Sequence, residues 1–162
     1  MIYLKLYENF DKPKVTIKSN QYLRKDSMDE GYSEYKRKEI ILEIDGKVVS
    51  SAIILLDVEL EDFLNKDPYK KKIKEDLDEL YGNSIYIKRI NTYEQKNKGY
   101  ASMILEHVYK LAKKNGCKYI TLDSVPESKD FWIKRGFEIC NNVLYEKKGK
   151  TICYYNMIKT IF

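Results

Sequence analysis

YEQKNKGYASMILEHVYKLAKKNG, residues 93–116, opens on a polar, basic stretch and passes without a break into an amphipathic helix. Tyr100, Ile104, Val108 and Leu111 recur on one stripe, and Asn115-Gly116 supplies the left-handed stop, so the spacing predicts a helix from Gly99 to Asn115. A helix start gathers N–H groups without intrahelical partners and a partial positive charge. Lys96, Asn97, Lys98 and Gly99 at that point therefore suit a phosphate. The plain alternative is a solvated basic turn, and the flanking sequence has to decide. SIYIKRINT (84–92) before the loop and KYITLDSV (118–125) after the helix both read as strands. The stretch thus sits inside a strand–helix–strand unit.

Further out, KEIILEIDGKVVSSAIILLDVEL (38–60) reads as a hairpin turning on Asp45-Gly46, the pair that a type I′ turn favours. Ile2, Leu4 and Leu6 alternate with Tyr3, Lys5 and Tyr7 as a first strand would. Between Asn20 and Lys38 the chain is polar and charged, fitting one or two short helices or a mobile arm. Pro68 opens a predicted helix to Tyr81, with Tyr69, Ile73, Leu77 and Leu80 at helical spacing and Gly82 beyond its end. Ser128–Arg135 makes a short helix ended by Gly136. The runs Phe137–Tyr145 and Thr151–Ile158 flank Lys147-Lys148-Gly149-Lys150 as a closing hairpin. No repeat or linker divides the chain, so one domain over residues 1–162 is expected. Its class is α+β (mixed α/β), a central, mostly antiparallel sheet with helices on both faces.

Composition narrows the partners without naming one. A net charge of +5 favours an anion, be it a nucleotide cofactor, RNA or an acidic peptide, but solvated lysines explain it as well. Fifteen Tyr invite a nucleic-acid reading, yet most lie in strand-like runs where they pack. Cys117, Cys140 and Cys153 are odd in number and widely spaced, with only His107 to join them. That argues against a metal site or disulfide framework and for reduced thiols in a cytoplasmic protein. The longest apolar run, VVSSAIILLDV (48–58), suits a buried strand rather than a membrane span, and the start MIYLKLYENF lacks a signal-peptide core.

Two phosphate motifs are excluded by inspection: no GxxxxGK[ST] occurs, and this loop has one glycine where GxGxxG needs three. What remains resembles the GNAT family of acetyl-CoA-dependent N-acetyltransferases, whose [QR]xxGx[GA] loop opens a helix and cradles a diphosphate. Lys96-Asn97-Lys98-Gly99-Tyr100-Ala101 stands at that place, with Lys96 replacing the usual Gln or Arg. SKDFWIKRGFE (128–138) is similar to the later family signature FYxKxGF, matched at Phe131, Lys134, Gly136 and Phe137. The resemblance runs from Ser84 to Ile158.

It implies acetyl-CoA as co-substrate, no metal, and direct attack by a primary amine in a ternary complex. Strands 84–92 and 119–125 would part around the pantetheine arm, and a backbone N–H at Ile90 or Asn91 would polarise the thioester carbonyl. Lys96 to Ala101, with Ile90 and Phe131, would hold the cofactor. From Ile90 to Gly99 the chain is one residue longer than the common family spacing. Trp132 stands where members often carry a Tyr acid, so Tyr145 or Tyr93 is a candidate proton donor and Trp132 reads as packing. Asp123, on the strand face opposite Ile120 and Leu122, can draw a proton from the amine through water; Glu94 lies beside the loop. His107 reads as a boundary residue.

The acceptor is open: a small-molecule amine, a protein lysine or N-terminus, or an aminoacyl-tRNA. The alternative class is a non-catalytic GNAT-like domain binding CoA, protein or RNA. A homodimer is a family analogy, and no membrane association is expected.

Overall fold

The computed structural model describes residues 14–25, 34–59, 83–93 and 99–161. Seven strands form one sheet: β1 (Val15–Lys25), β2 (Glu34–Ile44), β3 (Lys47–Glu59), β4 (Asn83–Thr92), β5 (Tyr119–Ser124), β6 (Glu138–Lys147) and β7 (Lys150–Thr160). Their spatial order is β1-β2-β3-β4-β5-β7-β6. Every neighbouring pair is antiparallel except β4 and β5, which run parallel. Helix α1 (Tyr100–Lys114) makes the crossover between those two, and the short α2 (Lys129–Ile133) follows β5.

Both closing turns obey local chemistry. Asp45 (φ 51) and Gly46 (φ 80), then Lys148 (φ 52) and Gly149 (φ 71), hold the paired positive φ values that tight two-residue hairpins need. Both ends of the charged stretch 20–38 correct the expectation of helices or an arm, and its middle, 26–33, lies outside the described residues. Asn20–Lys25 belongs to β1 and Glu34–Lys38 to β2, paired in continuous register from Lys25↔Glu34 to Val15↔Ile44. An outermost strand tolerates charge along its length, and its ladder is secured by a partner distant in sequence. The predicted first strand at Ile2–Leu6 and the helix Pro68–Tyr81 lie outside the described residues.

The core fills the sheet face under α1. Ile104, Leu105, Val108 and Ala112 of the helix meet Ile40, Leu42, Ile54, Ile85, Ile87, Ile120 and Leu122, with Trp132 and Phe137 from the α2 region closing one end. Each fully buried branched side chain contributes about 1.5–3 kcal/mol. On the opposite face a smaller cluster gathers Leu55, Val58, Tyr86, Tyr119 and Ile158. Among the described residues, α1 and the Phe131 and Trp132 side chains of α2 pack in the first cluster, while Ile133 is exposed.

Cys117, Cys140 and Cys153 are free thiols. Cys140 lies at an irregularity in the β6–β7 register, where burial, aided by Glu138, pushes its thiol up to about 11. Against the ordinary value of 9.0, the thiolate fraction near pH 8 falls about a hundredfold. Iodoacetamide should therefore modify Cys140 about a hundred times more slowly in native than in urea-unfolded protein, as peptide mass spectrometry over time would show.

Candidate functional site

The parallel ladder between β4 and β5 runs from Ser84↔Tyr119 to Ile87↔Leu122 and no further. Immediately beyond it, β4 carries one extra residue, Lys88, relative to β3: Ile54 faces Ile87 while Ile53 faces Arg89. Such a bulge bends a strand and ends its pairing on one side. The outer half of β4 stays with β3 and leaves β5, so a gap opens between the parallel strands.

Polar contacts hold that outer half in place. Ser50 Oγ donates to the Asn91 carbonyl at 2.6 Å, and the Ser51 and Tyr93 hydroxyls bond at 2.7 Å. The Tyr93 N–H donates to the Val49 carbonyl at 3.0 Å. Successive residues of a strand aim their N–H groups to opposite sides. By that alternation the N–H of Asn91 faces β3, and the N–H of Ile90 faces the gap.

At the end of β4, α1 starts on Gly99 in the left-handed conformation (φ 78, ψ 10). The Met103 N–H closes the first turn onto the Gly99 carbonyl at 3.0 Å, so the N–H groups of Tyr100, Ala101 and Ser102 precede any intrahelical bond. Among the described residues no side chain caps this end, and its first turn holds no acid. Among the described residues, a Cβ placed on Gly99 would meet nothing within 4 Å. Arg135 adds charge here, its Nη2 donating to Ser102 Oγ at 2.7 Å and its Nη1 to the Phe131 carbonyl at 2.9 Å. The guanidinium lies 3.4 Å from the Phe131 ring centroid. A cation beside the positive end of a helix is a repulsive pairing unless an anion joins them. Lys96, Asn97, Lys98 and Glu94 lie outside the described residues.

Trp132 is a core residue. Its ring stands edge-to-face with Phe131 (4.9 Å, 88°) and Phe137 (5.2 Å, 71°), as the packing reading expects. Lys159 ties this corner together: its ammonium reaches the Arg135 carbonyl at 2.5 Å and the Tyr109 hydroxyl at 3.3 Å. Burial, with Glu106 nearby, pushes the Tyr109 phenol up to about 12. His107 sits half-buried on α1, and burial and then Lys38 and Lys110 lower its pKa. Among the described residues it bonds to none of those around the gap.

Asp123 is the first residue of β5 past the last β4–β5 pair. It accepts a hydrogen bond from the Tyr86 hydroxyl at 2.8 Å on Oδ2 and another from Asn156 Nδ2 on Oδ1. Tyr145 lies on β6, the outermost strand, opposite Ile152, with β7 between it and β5. Ile90 and Asp123 thus border the gap from its two strands, and Gly99, Tyr100 and Ala101 form the helix start. Tyr93 is more than half exposed at its rim.

Tyr86, Asn156 and Arg135 did not stand out in the sequence. Strand alternation puts Tyr86 on the face opposite Ile85 and Ile87, and Arg135 is one helical turn past Phe131. The Asn156 contact depends on the β5–β7 register. Among the described residues no group of three or more His, Cys, Asp or Glu could hold a metal, and no helix is long and apolar enough to cross a membrane.

No family model matches the sequence, and no curated protein matches it. In three dimensions the chain is similar to a GCN5-related N-acetyltransferase from Rhodopseudomonas palustris, with TM-score 0.54 and 16% identity over 76% of this chain and 61% of that one. It spans, then, less than two thirds of that protein's length. An Arabidopsis thaliana protein solved with the bisubstrate analogue CoA-Ac-MVNAL gives TM-score 0.53 and 19% identity, over 75% of this chain and 72% of that one. A Drosophila melanogaster polyamine N-acetyltransferase gives 0.56 and 8%, over 75% of this chain and 74% of that one. The fold is that of the GNAT acetyltransferases.

Proposed function

We propose that this single domain transfers the acetyl group of acetyl-CoA to a primary amine by direct attack in a ternary complex. The observation that carries the reading is the gap at Ile87/Leu122 together with a helix start that has no side-chain cap and no acid among the described residues and Arg135 at its first turn. N–H groups, helix dipole and guanidinium present positive charge to one place, which suits a diphosphate. Lys96, Asn97, Lys98, Gly99, Tyr100 and Ala101 would hold it, with Phe131 beneath the guanidinium. Bound there, acetyl-CoA supplies a thioester whose carbonyl carbon joins the amine nitrogen as its C–S bond breaks.

The Ile90 N–H donates to the carbonyl oxygen as negative charge develops. Asn91 keeps that segment of β4 on β3. Asp123 receives one of the two protons that the ammonium nitrogen loses. The other ends on the departing sulfur, with Tyr93 the candidate donor, since Tyr145 stands two strands away from β5 and Trp132 is buried. A small-molecule or protein amine is the acceptor class, in a cytoplasmic setting.

The test is release of free thiol from acetyl-CoA, followed with a thiol-reactive dye across a panel of primary amines and lysine peptides. The expected result is release that depends on one class of amine and is saturable in it. Binding of acetyl-CoA without amine-dependent release would instead mark a non-catalytic CoA-binding domain, and salt-sensitive RNA association an RNA-binding one.

A further inference from the structure

We propose that Asp123, held by Tyr86 and Asn156, is the seat for the acceptor's protonated amine, so that the acceptor is a cationic primary amine. This rests on the acetyl-transfer reading for its purpose, though not for its geometry. Tyr86 and Asn156 are buried, at 8% and 7% exposure, and each spends its polar group on the same carboxylate. Asn156 is the direct cross-strand partner of Asp123. Tyr86 reaches it diagonally from the neighbouring strand, its own partner being Thr121. The network thus spans the last pair before the gap opens.

A carboxylate has about four lone-pair sites. Tyr86 and Asn156 occupy one on each oxygen from the buried side, and Asp123 itself is only partly buried. Among the described residues both of its partners are neutral. The charge is therefore oriented at the mouth of the gap, on the face opposite α1, and no cation among the described residues pairs with it. An ammonium ion supplies both the missing charge and several donors for the remaining lone pairs. Tyr86 and Asn156 touch neither reacting atom; they are positioning residues that fix the direction from which the nitrogen arrives.

The test uses the full-length ¹⁵N-labelled protein and butylammonium chloride as probe, with butan-1-ol as the uncharged counterpart at matched ionic strength. The Asn156 side-chain amide signals, assigned with Asn156→Ser, report on the seat. The expected result is a saturable movement with butylammonium and none with butanol. Affinity should be about tenfold weaker in Asp123→Asn, as the loss of a charge-assisted bond implies. Tyr86→Phe, which removes one hydroxyl, should also weaken it and serves as the comparison if Asp123→Asn does not fold. No saturable movement in the parent, or equal movement with butanol, overturns the proposal. Melting midpoints with acetyl-CoA, taken on the same samples, keep the two readings apart. A rise without a butylammonium response removes the seat alone, and the reverse pattern removes acetyl transfer and leaves the seat.

Discussion

Excess acetyl-CoA should raise the melting midpoint of this protein, and Gly99→Glu should abolish the rise. At about 100 times the dissociation constant, a ligand that binds only the folded state adds roughly 2.7 kcal/mol. For a domain of this size that corresponds to about 5–10 °C. The substitution separates binding from folding. Gly99 has a left-handed φ of 78, so any side chain there costs about 1 kcal/mol, but among the described residues its Cβ meets no neighbour. A carboxylate at a helix start returns about 0.3–1 kcal/mol. The unliganded midpoint should therefore move by a few degrees at most, while negative charge placed at the helix-start N–H groups repels the diphosphate. Gly99→Ala carries the same backbone cost without the charge and should keep most of the ligand-induced rise. Differential scanning fluorimetry of the three proteins with and without acetyl-CoA decides it. An unchanged midpoint in the parent, or a full rise in Gly99→Glu, would falsify the cofactor assignment.

The parts of this fold legible in sequence are those whose causes are local. Tyr100, Ile104 and Val108 announce α1 by spacing alone, and Asp45-Gly46 announces a turn by the φ values those residues tolerate. What stayed hidden depends on partners distant in the chain. Tyr22 to Lys25 show no persuasive alternation, yet they form a strand because Glu34–Arg37 lie opposite in register. The Lys88 bulge, which opens the gap, is visible only as a mismatch between the β3 and β4 registers. The carboxylate of Asp123 was legible as a candidate because its strand position put it opposite Leu122. Its two donors come from residues 37 and 33 positions away, a juxtaposition that no local pattern encodes. Arg135 likewise gains meaning only when α2 meets the first turn of α1.

Trp132→Ala lowers stability by about 3–5 kcal/mol, the range for deleting a large buried aromatic ring, or roughly 6–20 °C in midpoint. Trp132 is 8% exposed and shares edge-to-face contacts with Phe131 and Phe137, each worth about 0.5–1.5 kcal/mol beyond area burial. Phe131 in turn lies under the Arg135 guanidinium that reaches Ser102. Loss of the ring thus loosens the platform beside the helix start as well as the core. Trp132→Phe retains much of the volume and should cost far less than the alanine variant. Because the indole is packed inside the core and is no proton donor at neutral pH, Trp132→Phe should also leave the alkaline limb of the pH–rate profile where it was. Trp132→Tyr should not shift that limb either, since its hydroxyl would enter an apolar corner rather than the gap. Urea unfolding of the variants, alongside thiol-release rates from pH 6 to pH 10, measures both effects. A cost below about 1 kcal/mol for Trp132→Ala, outside the range for buried aromatics, would place the ring outside the core. Lost turnover in a fully folded Trp132→Phe would return it to the reaction.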